Sequence, residues 1–279
     1  MVNRRLEPRH LESFREYLVR EEKSIVTIDK YLRDVKVFLE YAGDFEITKE
    51  VTVLFKNELQ EKGYAVRSIN SMLASLNSLL TFLGWTDCKV KSLRYQRQIY
   101  CAEERELTKA EYYRLLEASK HQAQLNLVIQ TICATGIHVS ELKYFTVEAV
   151  CCGEITVRCK NKTRAILVPS KLRKLLLNYT RRHKIKSGPI FITKKGKPLD
   201  RSNIWAKMKG LCMVACVNPR KVFPHNLRKL FARTFYYVEK DIAKLADILG
   251  HNSINTTRIY IMTTGVEHRK KIERLGLVV

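Results

Sequence analysis

The stretch SIVTIDKYLRDVKVFLEYAG, residues 24–43, limits the fold more than any other part of the chain. Ile28, Tyr31, Leu32, Val35, Phe38 and Leu39 recur at the three- and four-residue spacing that gathers side chains on one face of an α-helix. Thr27 is placed to cap its start and Gly43 to stop it. The same period runs through residues 10–21, 52–61 and 68–83, the last ending at Gly84, with no strand-like alternation between them. Four helices joined by short turns predict a small helical bundle over residues 1–95. Such a bundle either contacts DNA or serves as a packing module. Its 16 basic and 14 acidic side chains do not choose between these.

Residues 91–106, KSLRYQRQIYCAEERE, have no apolar period and end in a charge cluster, so 96–106 reads as a linker. Thr108 and Glu111 then form the T-x-x-E capping box of a new helix, and a second domain follows over 107–265. A helix over 125–135 is broken by Gly136 and restarts at Ser140, Glu141 and Leu142. In EITVRCKNKTRAILVP, residues 154–169, β-branched residues flank a polar centre, the pattern of a β-hairpin whose tip carries Lys160 and Lys162. Further helices are expected at 170–182 and 201–216, along PHNLRKLFARTF (224–235) and at 241–249, with a turn around Pro189 and a basic tail from Val266. Cys212 and Cys216, four apart on the 201–216 helix, read as core residues. No internal repeat or low-complexity tract is present.

The formal charge of +23 exceeds what solubility needs and points to a polyanion, nucleic acid ahead of an acidic membrane surface. The excess is local: residues 96–279 hold 35 basic and 14 acidic side chains, interleaved with apolar residues as on a folded surface. Eight cysteines form no CxxC pair and no Cys/His ladder at zinc spacing, which disfavours a zinc module or a disulfide scaffold. Charged residues follow Met1 where a signal segment would be apolar, and no run approaches the roughly 18 apolar residues of a membrane span, so the protein is expected to stay inside the cell.

Four motifs stand in order along the second domain: ATGIHVSEL (134–142), the Lys160 hairpin, PHNLRKLFA (224–232) and LGHNSINTTRIY (249–260). Together they resemble the tyrosine recombinase family, the phage-integrase and Xer-like enzymes. The resemblance spans the second domain, and the helical first domain is similar to that family's core-DNA-binding domain. It implies a mainly α protein with an N-terminal four-helix core-DNA-binding (SAM-like) domain, and a mixed α/β catalytic domain carrying a small antiparallel sheet.

The chemistry explains these residue types. An enzyme that cuts DNA without losing bond energy exchanges one phosphodiester for another on a side-chain oxygen. By resemblance Tyr260 attacks the scissile phosphate, giving a 3′-phosphotyrosine and a free 5′-hydroxyl. Arg228 corresponds to the family's second arginine, whose planar fork suits phosphate oxygens. His225 and His251 match two histidine positions, as donors and proton managers. Lys160 matches the hairpin lysine that protonates the leaving 5′-oxygen, and Glu141 matches a carboxylate that orients the site. Taken singly, each has a duller reading: a lone histidine is more often a structural hydrogen-bonder, and Tyr260 is one of 13 tyrosines. No cofactor and no metal are implied.

His138 departs from the pattern, because the family has its first arginine there. An unperturbed histidine, with a pKa of about 6.5, is roughly one quarter protonated at pH 7 and offers one donor to a given phosphate. Losing one donor at a developing oxyanion costs about 2.7–4 kcal/mol, or roughly 10²–10³ in rate. DNA binding is expected to survive and strand cleavage to slow. An engineered trap, a weak natural variant and a degenerate DNA-binding copy are the three explanations, and the intact surroundings favour the first. Lys229, where the family often has histidine, faces about 100° away from Arg228 and is expected to be neutral.

The expected function is site-specific recombination or integration, with the two domains clamping duplex DNA. Partners implied by the resemblance are double-stranded DNA with paired core sites, a homotetramer on that DNA, a tail at 266–279 docking in trans, and an accessory DNA-bending or directionality protein. No membrane is expected. The resemblance also implies a cytoplasmic, nucleoid-associated protein of bacterial type, either a Xer-like resolvase, an inversion switch or a mobile-element integrase. The competing reading is a catalytically weak or inactive member that binds DNA as a regulator; a metal-dependent nuclease is a remote third.

Overall fold

The structure, a computed structural model, describes residues 4–94, 103–159, 162–193, 195–262, 269–270 and 272–277. The chain forms two compact units, Met1–Arg97 and Gln98–Val279.

Unit one contains α1 (Pro8–Arg20), α2 (Ile25–Ala42), α3 (Lys49–Glu61) and α4 (Val66–Phe82). Their apolar faces meet around Phe14, Phe38, Phe55, Leu73 and Leu76, with Phe38 edge-on to Phe55 at 5.0 Å. The cap of α2 differs from expectation. Ser24, not Thr27, is the N-cap: its Oγ accepts from Thr27 N at 3.3 Å, so the helix begins one turn earlier and Thr27 lies inside it. Gly43 ends α2 at φ +50. Asp34 is buried between α2 and α4, and is neutralised by Lys30 at 2.6 Å and by a hydrogen bond from Ser75 Oγ at 2.9 Å. A buried carboxylate needs such partners to be tolerated.

Unit two opens with α5 (Lys109–Ala118), held by the expected capping box: Thr108 N donates to Glu111 Oε2 at 2.8 Å, and Glu111 N to Thr108 Oγ1 at 3.1 Å. The next helix, α6 (Ala123–Thr135), buries Leu125, Leu127, Val128, Ile129 and Ile132 on nearly all sides, as suits a helix at the centre of a core. The restart after Gly136 is a 3₁₀ helix, Val139–Tyr144, and a short α7 (Val147–Cys152) comes next that the sequence did not predict; six residues are too few to display a period. Strands β1 (Glu154–Cys159) and β2 (Lys162–Leu167) pair antiparallel, with Cys159 opposite Lys162. Lys162 therefore belongs to β2 and not to the tip.

After α8 (Ser170–Arg182) comes α9 (Arg201–Gly210), capped by Asp200, whose carboxylate accepts from Ser202 N and Asn203 N. This helix stops at Gly210, six residues short of expectation. The chain beyond turns back so that Arg114 binds the carbonyls of Ala215 and Cys216. Cys212 is buried while Cys216 is exposed at φ +48, so the two do not share a helix face. Then α10 (Pro224–Glu239) packs on α6, and α11 (Ile242–Leu249) and α12 (Ile254–Ile261) follow. Among the described residues, no helix is long and apolar enough to cross a membrane.

Gly136 sets how closely α6 and α10 approach. It holds the left-handed conformation, φ +64, at the C-terminus of α6, and a Cβ there would overlap the Phe231 ring on α10. The expected effect of Gly136→Ala is a loss of more than about 2 kcal/mol in urea unfolding, from left-handed strain plus overpacking. A loss below about 0.5 kcal/mol, the range of ordinary surface substitutions, would contradict this packing.

Candidate active site

Two helix C-termini converge on one arginine. Gly136 ends α6, and Leu249 ends α11 just before Gly250, which is also left-handed at φ +70. The last carbonyls of a helix lack intrahelical donors and carry the negative end of its dipole. Arg228, on α10 and only 5% exposed, donates from Nη1 to Gly136 O at 2.6 Å and from Nη2 to Leu249 O at 2.7 Å. Its Nε is buried and, among the described residues, has no hydrogen-bond acceptor. An unpaired buried donor costs about 1–3 kcal/mol, and an anion arriving at this guanidinium would remove that cost.

The left-handed turn at Gly250 delivers His251 beside the same arginine, with Nε2 3.2 Å from Arg228 Nη2 and Nδ1 2.9 Å from Thr257 Oγ1. Arginine can only donate, so Nε2 is the acceptor and Nδ1–H donates to the fully buried Thr257. That assignment makes His251 neutral. Tyr260, one turn further along α12 and 8% exposed, sits with its ring 4.9 Å from His251 and 5.0 Å from His225, and the Arg228 guanidinium lies 5.9 Å from its centroid.

Glu141 is buried behind this group. Its Oε2 accepts from His138 N at 2.7 Å and from Arg164 Nη2 at 2.6 Å, and lies 3.9 Å from Arg228 Nη1. Arg164, on β2, also donates to Ile248 O, tying the hairpin to the last turn of α11. A Cβ at Gly250 would meet the Arg164 side chain at 2.8 Å and displace it, while φ +70 itself favours glycine there.

His138 occupies the N-cap of the 3₁₀ helix. Its Nδ1 takes the Ser140 N–H at 3.3 Å and lies 2.8 Å from Ser140 Oγ. Burial and the positive field of Arg228 hold its pKa below the ordinary value, so the ring is neutral at pH 7 and less protonated than an unperturbed histidine. The pKa values of His225 and His251 are pushed down to about 4, first by burial and then by neighbouring cations. A cavity of about 340 Å³ opens beside these groups, walled by His138, His225 and Arg228 and, from α9, by Arg201 and Trp205.

The fold thus brings together His138, Glu141, His225, Arg228, His251 and Tyr260, while Lys160 lies outside the described residues. Lys229 points away to a 3.1 Å pair with Glu106, and Arg233 holds the other oxygen of that carboxylate at 2.6 Å. Sequence reading missed Arg164, Thr257 and Arg201. Arg164 had a signal: it shares a strand face with buried Ile166 and Val168, an unusual place for a cation without a partner. Among the described residues no group of three or more histidine, cysteine or acidic side chains could hold a metal. The arrangement is a donor-rich, positive cage around a phenol, suited to an anion with several oxygens.

Comparison with known proteins finds similarity along both units. Residues 105–265 match the phage integrase family, and residues 11–87 match the phage integrase N-terminal SAM-like domain. The tyrosine recombinase XerA of Pyrococcus furiosus is 31% identical over 276 residues, covering 96% of this chain and 94% of the relative. Two solved complexes share the fold. A XerH site-specific recombinase bound to difH substrate before cleavage has a TM-score of 0.69 at 20% identity, covering 89% of this chain and 79% of that one. A lambda integrase tetramer bound to a Holliday junction has a TM-score of 0.71 at 16% identity, covering 90% and 76%.

Depressed imidazole pKa values give a signed pH dependence. A histidine that stays neutral in the fold down to about pH 4, but titrates near 6.5 when unfolded, contributes stability that is present above pH 6.5 and lost as pH falls towards 4. The unfolding free energy is expected to decline across that window, and less steeply in His251→Gln. An NMR titration midpoint for His251 at or above 6.5 would contradict the buried, neutral assignment.

Proposed function

The chain belongs to the phage integrase family, and on that premise we propose that it is a site-specific DNA recombinase that cuts and rejoins strands through Tyr260. The observation that carries the proposal is the buried Arg228, with an unused Nε–H, beside a phenol bracketed by two neutral imidazoles. A phosphodiester entering the cage accepts from that Nε–H. Its negative charge also offsets the cationic field that depresses His225 and His251, which raises their basicity where a phenolic proton must go.

In the step itself the Tyr260 oxygen bonds to phosphorus as the bond to the 5′-oxygen breaks. The phenolic proton passes to an imidazole, and Lys160 protonates the departing 5′-oxygen. The strand is left as a 3′-phosphotyrosine, and the 5′-hydroxyl of a partner strand reverses the exchange without an external energy source. Glu141 and Arg164 position the turn that carries His251. Paired core sites bound by four copies, with an accessory bending or directionality protein, are the proposed assembly; the tetrameric complex of the similar lambda integrase supports the four copies. The exposed Ile272, Leu275 and Leu277 give the tail an apolar surface to dock on a neighbouring copy.

His138 favours a second reading, a DNA-binding regulator with little chemistry, because a neutral ring tied to Ser140 leaves no cation where the family carries arginine. The two readings separate on a duplex enriched by this chain from random sequence and nicked beside the cut so that the short product is lost. A covalent protein–DNA band that persists in EDTA and disappears in Tyr260→Phe supports the recombinase; no band from this chain or from His138→Arg contradicts it. His138→Arg is expected to raise the rate by roughly 10²-fold, the lower end of the range for one oxyanion donor. It should also lower stability by about 1 kcal/mol, because arginine cannot accept the Ser140 N–H as a cap. Equal rates for the two proteins would contradict the account of His138.

A further inference from the structure

We infer that Arg201 supplies the second guanidinium on the scissile phosphate, in place of the cation that position 138 lacks. The inference rests on the recombinase reading and adds a catalytic residue to it.

Three observations converge. The cavity beside the cage has His138, His225 and Arg228 on one wall and the first turn of α9 on another, so Arg201 opens into the space where the phosphate must lie. Arg201 is exposed and, among the described residues, has no ion pair with an acid, leaving its planar fork available for two oxygens. Arg228 is poorly placed to fill both roles, since three of its five N–H donors go to Gly136 O, Leu249 O and His251 and its Nε is buried.

The placement of Arg201 is also poor for the helix it begins. A cation in a first turn opposes the helix dipole, whereas an anion bound at the same place is favoured by it. Asp200, the adjoining acid, is occupied in capping Ser202 N and Asn203 N. The charge of Arg201 reaches the site, because it helps to lower the pKa of both His138 and His225. His138, with Nδ1 held by Ser140, keeps only Nε2–H for the phosphate. The resulting cage has a neutral donor at 138, one buried donor from Arg228, and an exposed guanidinium entering from α9.

The test measures single-turnover formation of the covalent complex by the full chain at saturating DNA, using the enriched nicked duplex. The proteins are the parent, Arg201→Ala, Arg201→Lys, His138→Arg and the double variant His138→Arg/Arg201→Ala. With His138 present, Arg201→Ala is expected to slow the step by about 10²-fold, with Arg201→Lys between; in the His138→Arg background the loss is expected to be under about tenfold. Replacing the scissile phosphate by an uncharged methylphosphonate should shrink the Arg201→Ala loss to under about threefold, because a neutral phosphorus centre no longer needs the second cation. Equal losses in both backgrounds, or weaker DNA binding with an unchanged rate at saturation, would overturn the inference. A covalent product from the His138→Arg proteins alone would overturn it too and leave the recombinase reading standing. No product from any of the five proteins would remove both.

Discussion

The burial of Arg228 between two helix C-termini is the interaction on which the catalytic unit depends. A guanidinium at 5% exposure needs its charge answered, and here α6 and α11 each turn a terminal carbonyl towards it, with Glu141 at 3.9 Å behind. Both helices end at a left-handed glycine, and each glycine is closely approached by a side chain from another element, Phe231 or Arg164. The arginine is thus a fastener as well as the proposed phosphate ligand. Removing it would leave two helix ends without their cation and Glu141 with Arg164 alone, so its loss would strike folding together with the proposed chemistry.

Fastening α11 to α10 also fixes Tyr260, the proposed nucleophile. His251 comes immediately after the second glycine, Thr257 locks its tautomer, and Tyr260 stands one turn later with both imidazoles against its ring. The field of this assembly is positive: Arg228, Arg164 and Arg201 act on its imidazoles, Lys229 adds to the field at His225 from outside the cage, and Glu141 lies 3.9 Å from Arg228. Histidines in such a field are poor bases until an anion arrives. On the proposed mechanism, proton transfer is therefore coupled to phosphate binding by electrostatics alone, which guards an otherwise idle phenol.

The helices of the first unit were legible because each has a long apolar face, and the β-hairpin because β-branched residues flank its polar centre. Short or interrupted elements were not. Six-residue α7 has no period to display, α9 ends at Gly210 because Arg114 captures the chain beyond it, and the cap of α2 moved one turn to Ser24 because two hydroxyl residues three apart compete for the position. In the site, His225 and Arg228 share one helical turn, and His251 and Tyr260 flank one short turn, so their proximity was written in local spacing. Arg164 and Arg201 reach the same place from a strand and a distant helix, and only tertiary packing reveals that. The histidine at 138 was visible as an anomaly, but its tie to Ser140 was not.

Identifying the atom that becomes joined to DNA tests the central claim most directly. A trapped complex, digested with protease and analysed by mass spectrometry, is expected to carry its nucleotide on Tyr260, with the DNA attached through its 3′-phosphate and a free 5′-hydroxyl on the released strand. Attachment at any other residue, or through a 5′-phosphate, would contradict the role given to Tyr260 and the cage around it.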